Sequence, residues 1–227
     1  MHENIILSIL MKKNLIILLI LPFTFLVNAQ DVRFSFMANP QLTWFSGEDE
    51  NYQANGSFPA MNIGLEMDAF FTENYAFSTG ITLNSIRGGV IYSDSLSYNV
   101  SDKQRTLPSD SRMTFNLQYI SVPLGLKFKT IEIGYTTYWI NAGLTPMFLI
   151  KSKVSDESDT FEKTEFKDET SFYNMNYFIE GGLEYSLGGN TAIVAGLGYY
   201  SGFFDVTKSS AYRLTSQGFA IVFGIQF

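Results

Sequence analysis

The sequence predicts an all-β protein: an eight-stranded antiparallel up-and-down transmembrane β-barrel. Three observations predict it. Segments in which large apolar side chains alternate with small or polar ones recur along the chain, and a period of two places the two sets on opposite faces of a strand. Long polar stretches and very short turns separate these segments in alternation. Aromatic residues make up 16% of the chain, and they favour strands and membrane interfaces.

The last segment, GFAIVFGIQF at 218–227, shows the alternation most clearly. One face is small or polar, and the other carries Phe219, Ile221, Phe223, Ile225 and Phe227. A soluble sheet buries its large residues against a second layer and shows charges or hydroxyls outside. A bulky apolar face opposite a face of small residues is instead typical of a small barrel in lipid.

Eight segments are predicted in total. They cover residues 32–45, 59–71, 75–92, 112–129, about 133–150, 173–186, 191–204 and 218–227. The long polar stretches are 46–57, 94–111, 155–170 and 205–212, and the short turns are 72–74, 129–132 and 187–190. An even number of strands puts both termini at the short-turn end, as in outer-membrane barrels. Trp139 interrupts the alternation of the fifth segment and suggests a bulge or a shift of phase near it.

Aromatic residues near the segment ends are candidates for the two interfacial rings. Those toward the long loops are Trp44, Tyr92, Tyr173 and Phe203, and those toward the short turns are Phe71, Tyr75, Phe128, Tyr185 and Phe227. The alternative fold is a soluble lipocalin-like barrel, which also has eight strands. It is disfavoured because its outer face should be polar where these segments are most apolar.

The stretch MKKNLIILLILPFTFLVNAQ at 11–30 predicts a secretory signal peptide. Two lysines precede an apolar run, and small residues near Ala29 fit the cleavage rule. The run is shorter than the roughly 20 residues of a spanning helix, which disfavours an N-terminal anchor. We therefore expect a signal peptide at 1–29, a barrel domain at 30–227, and Met11 as a second candidate start.

The segment YISVPLGLKFK at 119–129, the last strand with its terminal Phe227 and the leader ending in NAQ resemble the PorT-like outer-membrane β-barrel family of Bacteroidota. That family is related in architecture to the small OmpA/OmpX-type barrels, and the resemblance covers essentially 30–227. It implies a place in the lipid of the cell outer membrane. It also implies contact with the barrel-assembly machinery, for which Phe227 is the assembly signal. The family is functionally mixed, and a secretion accessory role is one version of what it implies.

Charged residues on the inward faces of the strands are predicted to form a polar network in the lumen. They are Arg33, Glu66, Asp68, Lys127, Glu180 and Glu184, together with Asn62, Asn84, Asn174, Asn176 and Gln226. An eight-stranded barrel holds little more than side chains, and an unpaired buried charge is costly. We therefore expect a plug of salt bridges. The alternative is a narrow path for protons or cations along the acids.

No enzyme activity, cofactor or metal site is expected. The single histidine, His2, lies in the leader, so no imidazole base is left in the mature chain. Glu180 and Glu184 are a conceivable carboxylate pair without an evident substrate pocket. The chain has no cysteine, and its net charge of −7 argues against nucleic acid as a partner. The acidic stretch 155–170 lacks the ordered spacing of a calcium loop, so a solvated loop is favoured over a Ca²⁺ site.

We therefore expect the function to lie in the loops or the outer wall, as binding, adhesion or membership in an envelope or secretion assembly. Aromatic residues in the long loops are candidates for recognition, because exposed loop aromatics often bind partners. They are Tyr52, Tyr98, Phe161 and Phe166. The alternative function is a porin-like narrow channel for small solutes or ions.

Overall fold

The computed structural model describes most of the predicted barrel domain. The described residues are 31–49, 52–92, 96–100, 103–107, 111–156, 164–165, 170–207 and 214–227. The predicted signal peptide lies outside them. In this part of the chain no helix is long and apolar enough to cross a membrane.

The secondary structure of the described residues consists of β-strands joined by turns and bends. The strands are β1 (Asp31–Ser46), β2 (Glu48–Asp49), β3 (Tyr52–Asn55), β4 (Phe58–Phe70), β5 (Tyr75–Tyr92), β6 (Leu96–Val100), β7 (Lys103–Leu107), β8 (Ser111–Ser121), β9 (Leu124–Lys129), β10 (Thr136–Asp156), β11 (Thr164–Glu165), β12 (Tyr173–Gly188), β13 (Thr191–Gly202) and β14 (Thr215–Gln226).

Eight antiparallel wall strands close into a ring, which confirms the predicted barrel. Going around, the order is β1, β4, β5, then β8 with β9 as one wall strand, β10, β12, β13 and β14, which pairs back onto β1. The fourth wall strand is divided at Pro123, which has no backbone N–H to donate to a neighbour. The ring closes where Phe36 lies opposite Ile225 and Phe227 exchanges backbone hydrogen bonds with Phe34. A closed ring leaves no wall edge unpaired, which lipid requires.

The connections between β4 and β5 and between β12 and β13 are as short as predicted. The predicted turn at 129–132 is longer, because β9 runs to Lys129 and β10 begins only at Thr136. The long connections contain strands. The turn between β12 and β13 uses Gly188 and Gly189 at φ values of 102° and 61°, which glycine adopts without steric cost. At the other end, β3 pairs with β5, β6 with β7, and β11 with β10. β10 itself runs to Asp156, into a stretch predicted as loop.

The predicted irregularity at Trp139 is wrong. Trp139 follows the regular alternation and is buried inside the barrel at 4% exposure, because it lies opposite Gly182 where there is room for the indole. The register of β10 against β8 shifts instead between Leu149 and Lys151. A bulge of this kind reverses which side chains face outward, and both Ile150 and Lys151 are exposed.

The outer wall carries a broad band of exposed apolar side chains. Representative members on four wall strands are Ile81 at 67% exposure, Leu126 at 64%, Leu197 at 69% and Phe219 at 58%. The inward positions between them are mostly small or polar. Such a band is far larger than a water-soluble surface tolerates, and it matches the lipid-facing wall of a transmembrane barrel. The lipocalin-like alternative therefore fails.

Candidate functional site

The turn-end half of the lumen holds a compact ionic network centred on Lys127. Its Nζ lies 2.6 Å from Asp68 Oδ2 and 3.0 Å from Glu184 Oε1, and all three side chains are buried. Lys129 pairs with the second oxygen of Glu184, and the Ser78 hydroxyl donates to the second oxygen of Asp68. Asp68 thereby accepts two hydrogen bonds, and Glu184 lies against two ammonium groups, so neither buried charge is left uncompensated.

The strand pairing explains why these side chains meet. Asp68 lies opposite Ser78 on the neighbouring strand, and Lys127 lies opposite Asn141. Lys127 and Lys129 are two residues apart and so share the inward face. Lys129 was not assigned to the lumen from the sequence, because it lies at the end of its strand. Its position two residues after Lys127 nevertheless indicates the same inward face. Trp139 adds the face of its ring, 5.1 Å from Lys127 Nζ.

The other two predicted lumen acids lie beside a small internal cavity. Tyr200 donates its hydroxyl hydrogen bond to Glu180 Oε1. Glu66, Glu180 and Tyr200 line a cavity with ≈ 20 Å³ of free space, which is room for about one water molecule. Amide side chains of the neighbouring strands complete the lining, among them Asn62, Asn84, Asn141 and Asn176.

Arg33 lies apart from this network, at the short-turn mouth of the barrel. Its Nε is 2.8 Å from Asp31 Oδ2, and both side chains are substantially exposed, at 40% and 50%. Its guanidinium stacks 5.3 Å from the Phe70 ring. Arg33 therefore belongs to the rim, because the inward face of β1 reaches solvent at this level.

The long-loop half of the barrel reverses the polarity of the wall. On β8, Met113, Phe115 and Leu117 point inward and are buried, while Asn116 and Gln118 point outward and are exposed. Beyond Tyr119, toward the short-turn end, the outward side chains become apolar. An apolar inside with a polar outside is the pattern of a water-soluble sheet. We call this part, formed by Ile86–Tyr92, Ser111–Gln118 and Lys151–Asp156, the extension.

The inward side of the extension packs with the neighbouring strands into one hydrophobic core, which fills the long-loop mouth. Its buried members are Phe45, Ile86, Val90, Met113, Phe115, Leu117, Tyr119, Met147, Leu149, Val154, Val206 and Leu214. The rings of Phe45 and Phe115 meet edge to face at 5.8 Å. Val206 and Leu214, joined by a backbone hydrogen bond of 2.8 Å, close the cluster from the connection between β13 and β14. Sequence reasoning missed this core, although the apolar phase of β8 visibly changes sides at Tyr119.

An aromatic arc marks the outer wall at the long-loop end. Ring contacts of 5.1 to 6.3 Å connect Trp44, Phe219, Tyr199, Tyr177 and Phe203. A second set of contacts, 5.6 to 6.1 Å, connects Phe204, Tyr173, Phe148 and Phe172. Near the short turns, Tyr75 contacts Phe71 and Phe128. Aromatic rings at two heights are typical of the two membrane interfaces.

The loop residues predicted for recognition are only partly placed. Tyr52 lies in β3 opposite Tyr92, and Tyr98 lies in β6 opposite Arg105, with side chains outside the described part. Phe161 and Phe166 lie outside the described residues, as does most of the acidic stretch 155–170. Among the described residues, no group of three or more His, Cys, Asp or Glu is arranged to hold a metal ion.

Several solved outer-membrane proteins are similar to this chain at low identity. Neisserial surface protein A is 11% identical with a TM-score of 0.48, covering 85% of this chain and 95% of its own. OprG from Pseudomonas aeruginosa is 9% identical with a TM-score of 0.47, covering 86% and 93%. Ail of Yersinia pestis is 13% identical with a TM-score of 0.38, covering 87% and 100%. The comparison with curated proteins gave no match.

The family comparison is more decisive, because it covers most of the chain. Residues 23–208 match the family described as "Outer membrane protein beta-barrel domain". That description agrees with the closed ring and with the apolar outer band, and it places the protein in the outer membrane. This chain belongs to the outer membrane protein beta-barrel domain family.

Proposed function

We propose that this protein is a non-enzymatic outer-membrane barrel that acts by binding, through its extension and the loops around it. The binding is adhesion or membership in an envelope assembly, and a secretion assembly is the version that the PorT-like resemblance implies. The observation that carries the proposal is the reversal of wall polarity at Tyr119, which builds a folded surface beyond the lipid-facing band. A passive channel has no need of such a core.

The filled interior supports binding over transport. The network around Lys127 occupies the turn-end half of the lumen, and the core around Phe115 occupies the other half. Between them the cavity beside Glu66 has space for about one water molecule. Side chains that fill the lumen prevent the passage of solutes, but they do not prevent a partner from binding to the outer surface.

Gentle extraction of the tagged full chain from its native outer membrane tests the proposal. We expect a companion in fixed stoichiometry, identified by mass, and we expect it to be lost when a short Gly-Ser linker replaces the β6–β7 hairpin at 96–107. The hairpin forms its own two-stranded sheet, so its removal leaves the wall pairing intact. Two results together contradict the proposal. The protein is always extracted alone, and cells that lack the protein bind surfaces as well as wild-type cells do.

The alternative is a narrow channel, for which the polar cavity lined by Glu66 and Glu180 is the favouring observation. Planar bilayer recordings separate the two functions. We expect the wild-type protein to give no conductance steps, because both halves of the lumen are filled by buried side chains. Regular single-channel steps from the purified wild-type protein would establish the channel and remove the main support for a binding function.

Phe227 is expected to act in assembly of the barrel. Phe227 is 56% exposed on the outer wall, and its backbone pairs with that of Phe34, which is 47% exposed at the same height. We expect Phe227→Ser to reduce assembled protein in the membrane severalfold, because the terminal side chain is the one presented to the assembly machinery. Phe34→Ser is the matched control, and heat-dependent gel mobility measures the assembled fraction. Equal levels of the two variants contradict this role.

A further inference from the structure

Basic residues occupy adjoining positions on the outer face of the extension. Arg87 on β5 lies opposite Asn116 on β8, and Asn116 lies opposite Lys153 on β10. One step toward the membrane, Gln118 lies opposite Ser85 on one side and Lys151 on the other. We call Arg87, Lys151 and Lys153 the basic patch. Three cations close together are notable in a chain whose net charge is −7.

The patch has the dimensions of a phosphorylated sugar headgroup. Neighbouring strands lie about 5 Å apart, so the positions of Arg87 and Lys153, two strands apart, are separated by roughly 10 Å. Lys151 and Lys153 are separated by about 7 Å along their strand. The residues between the cations are Asn116 and Gln118, whose amides donate and accept hydrogen bonds. The surface thus combines cations with amide donors, the side chains that hold phosphates and hydroxyls.

The local contacts keep these cations on the outer face. The Arg87 guanidinium lies 5.7 Å from the centre of the Phe58 ring and 3.4 Å from the Pro59 carbonyl oxygen. Its Nε is buried and has no hydrogen-bond acceptor among the described residues, so a ligand meets the outer end of the guanidinium. Lys151 is exposed, and the residue opposite it is the neutral Gln118. Glu165 on β11 is the acidic residue that the described register places beside the patch, opposite Lys153.

The patch borders the lipid-facing band directly. Leu83 lies two residues before Ser85 on β5, Ile120 lies two residues after Gln118 on β8, and Ile150 precedes Lys151. All three apolar side chains are exposed, at 60%, 42% and 44%. A ligand on this surface therefore meets apolar wall on the membrane side and cations just above it. An anionic membrane lipid presents its acyl chains and its charged head in that order.

The aromatic arc covers the complementary part of the same interface. Its rings lie on β1, β10, β12, β13 and β14, just before β12 and just after β13. The patch lies on β5 and β10 with β8 between them, so β10 is the strand that carries residues of both. Aromatic rings fit the interface through their amphipathic shape, and basic residues fit it where phosphates are concentrated. The β5–β8–β10 side of the barrel is therefore the side suited to phosphate.

We propose that the basic patch, with the apolar wall beneath it, is a binding site for a phosphorylated glycolipid of the outer leaflet. The acyl chains lie along Leu83, Ile120 and Ile150, and a headgroup phosphate lies between Arg87 and Lys151. Asn116 and Gln118 hydrogen-bond the sugar. This site goes beyond the proposed function, because the lipid is a resident ligand of the wall and is separate from any partner of the loops.

Purified full-length protein in neutral detergent tests the site, with diphosphoryl lipid A as the probe and native mass spectrometry as the readout. The test variant is Arg87→Gln with Lys151→Gln. The control, Lys103→Gln with Arg105→Gln, removes the same charge from the β6–β7 hairpin. Each basic residue near an anionic lipid contributes about fivefold in affinity, so we expect the test variant to bind on the order of 25-fold more weakly. The control should bind like the wild type.

Two further measurements make the outcome decisive. Lipid A with its phosphates removed but the same acyl chains should bind the wild type as weakly as diphosphoryl lipid A binds the test variant. Arg87→Lys with Lys151→Arg keeps both charges and should restore binding, and heat-dependent gel mobility should show every variant folded. Equal binding of the phosphorylated and dephosphorylated lipids, or equal loss in test and control variants, overturns the site.

Discussion

Replacement of Lys127 by methionine is expected to lower the free energy of unfolding by about 3–5 kcal/mol, since removal of one partner leaves a buried charge uncompensated. Lys127 Nζ is bound by Asp68 at 2.6 Å and Glu184 at 3.0 Å. Glu184 retains Lys129 in the variant, but Asp68 retains only the Ser78 hydroxyl. Urea unfolding in detergent micelles, followed by tryptophan fluorescence, measures the loss, and Trp139 beside Lys127 reports on the site directly.

A matched pair of aspartates controls this result. Asp68→Asn alters a buried ion pair, whereas Asp31→Asn alters the exposed pair with Arg33. Exposed pairs contribute about 0–1 kcal/mol, so Asp31→Asn should change stability little while Asp68→Asn changes it by several times more. Combining Asp68→Asn with Lys127→Met should recover part of the loss, because no carboxylate is then left unpaired at Asp68. A Lys127→Met variant as stable as the wild type contradicts the network.

Replacement of Phe115 by alanine is expected to cost about 3–5 kcal/mol, the usual range for removing a buried phenylalanine ring. Phe115 is 1% exposed and contacts the Phe45 ring at 5.8 Å in the core of the extension. The damage should concentrate in the extension, because the lipid-facing wall does not depend on this ring. We therefore expect faster trypsin cleavage after Arg87, Arg112 and Lys151, together with a lower urea midpoint.

Asn116→Ala is the control for this prediction. Asn116 is the next residue in the chain, but its side chain points outward and is exposed, so its removal should leave both the midpoint and the cleavage rate nearly unchanged. The contrast between neighbours tests the assignment of inside and outside in β8. Equal sensitivity of the two positions would mean that the extension has no core of the kind described.

The alternation of side chains determined the barrel, because a period of two fixes the two faces of each strand wherever the strand pairs. The wall strands that contain 59–71, 75–92 and 218–227 could be predicted for this reason, and so could the inward direction of Lys127 and Glu184. The tight turn at Gly188 and Gly189 could also be predicted, because two consecutive glycines favour a turn whatever the rest of the fold. The alternation of large apolar and small residues in the last strand was enough to distinguish a lipid-facing barrel wall from the outer face of a water-soluble barrel.

Features that depend on several strands at once could not be predicted in this way. The bulge at Ile150 adds a residue to one strand only, so it shows in the pairing of β10 with β8 and not in either strand alone. Trp139 was misjudged for a similar reason, because the space that admits its ring is provided by Gly182 on a neighbouring strand. The alternation of β1 places Arg33 on the inward face. Its strand extends beyond the ionic network toward the short-turn end, however, so Arg33 lies at the rim.

By itself, the sequence determined which residues of the lipid-facing band point outward and which of their neighbours point inward, because that information repeats every second residue along a regular strand. Only the tertiary structure decided which inward residues meet: that Lys127 binds Asp68 and Glu184, that Lys129 joins them, and that Phe45 and Phe115 close the other mouth. It also brought Arg87 and Lys151 to one surface from strands far apart in the chain. Such contacts are set by the register and closure of the ring, which are properties of all eight wall strands together.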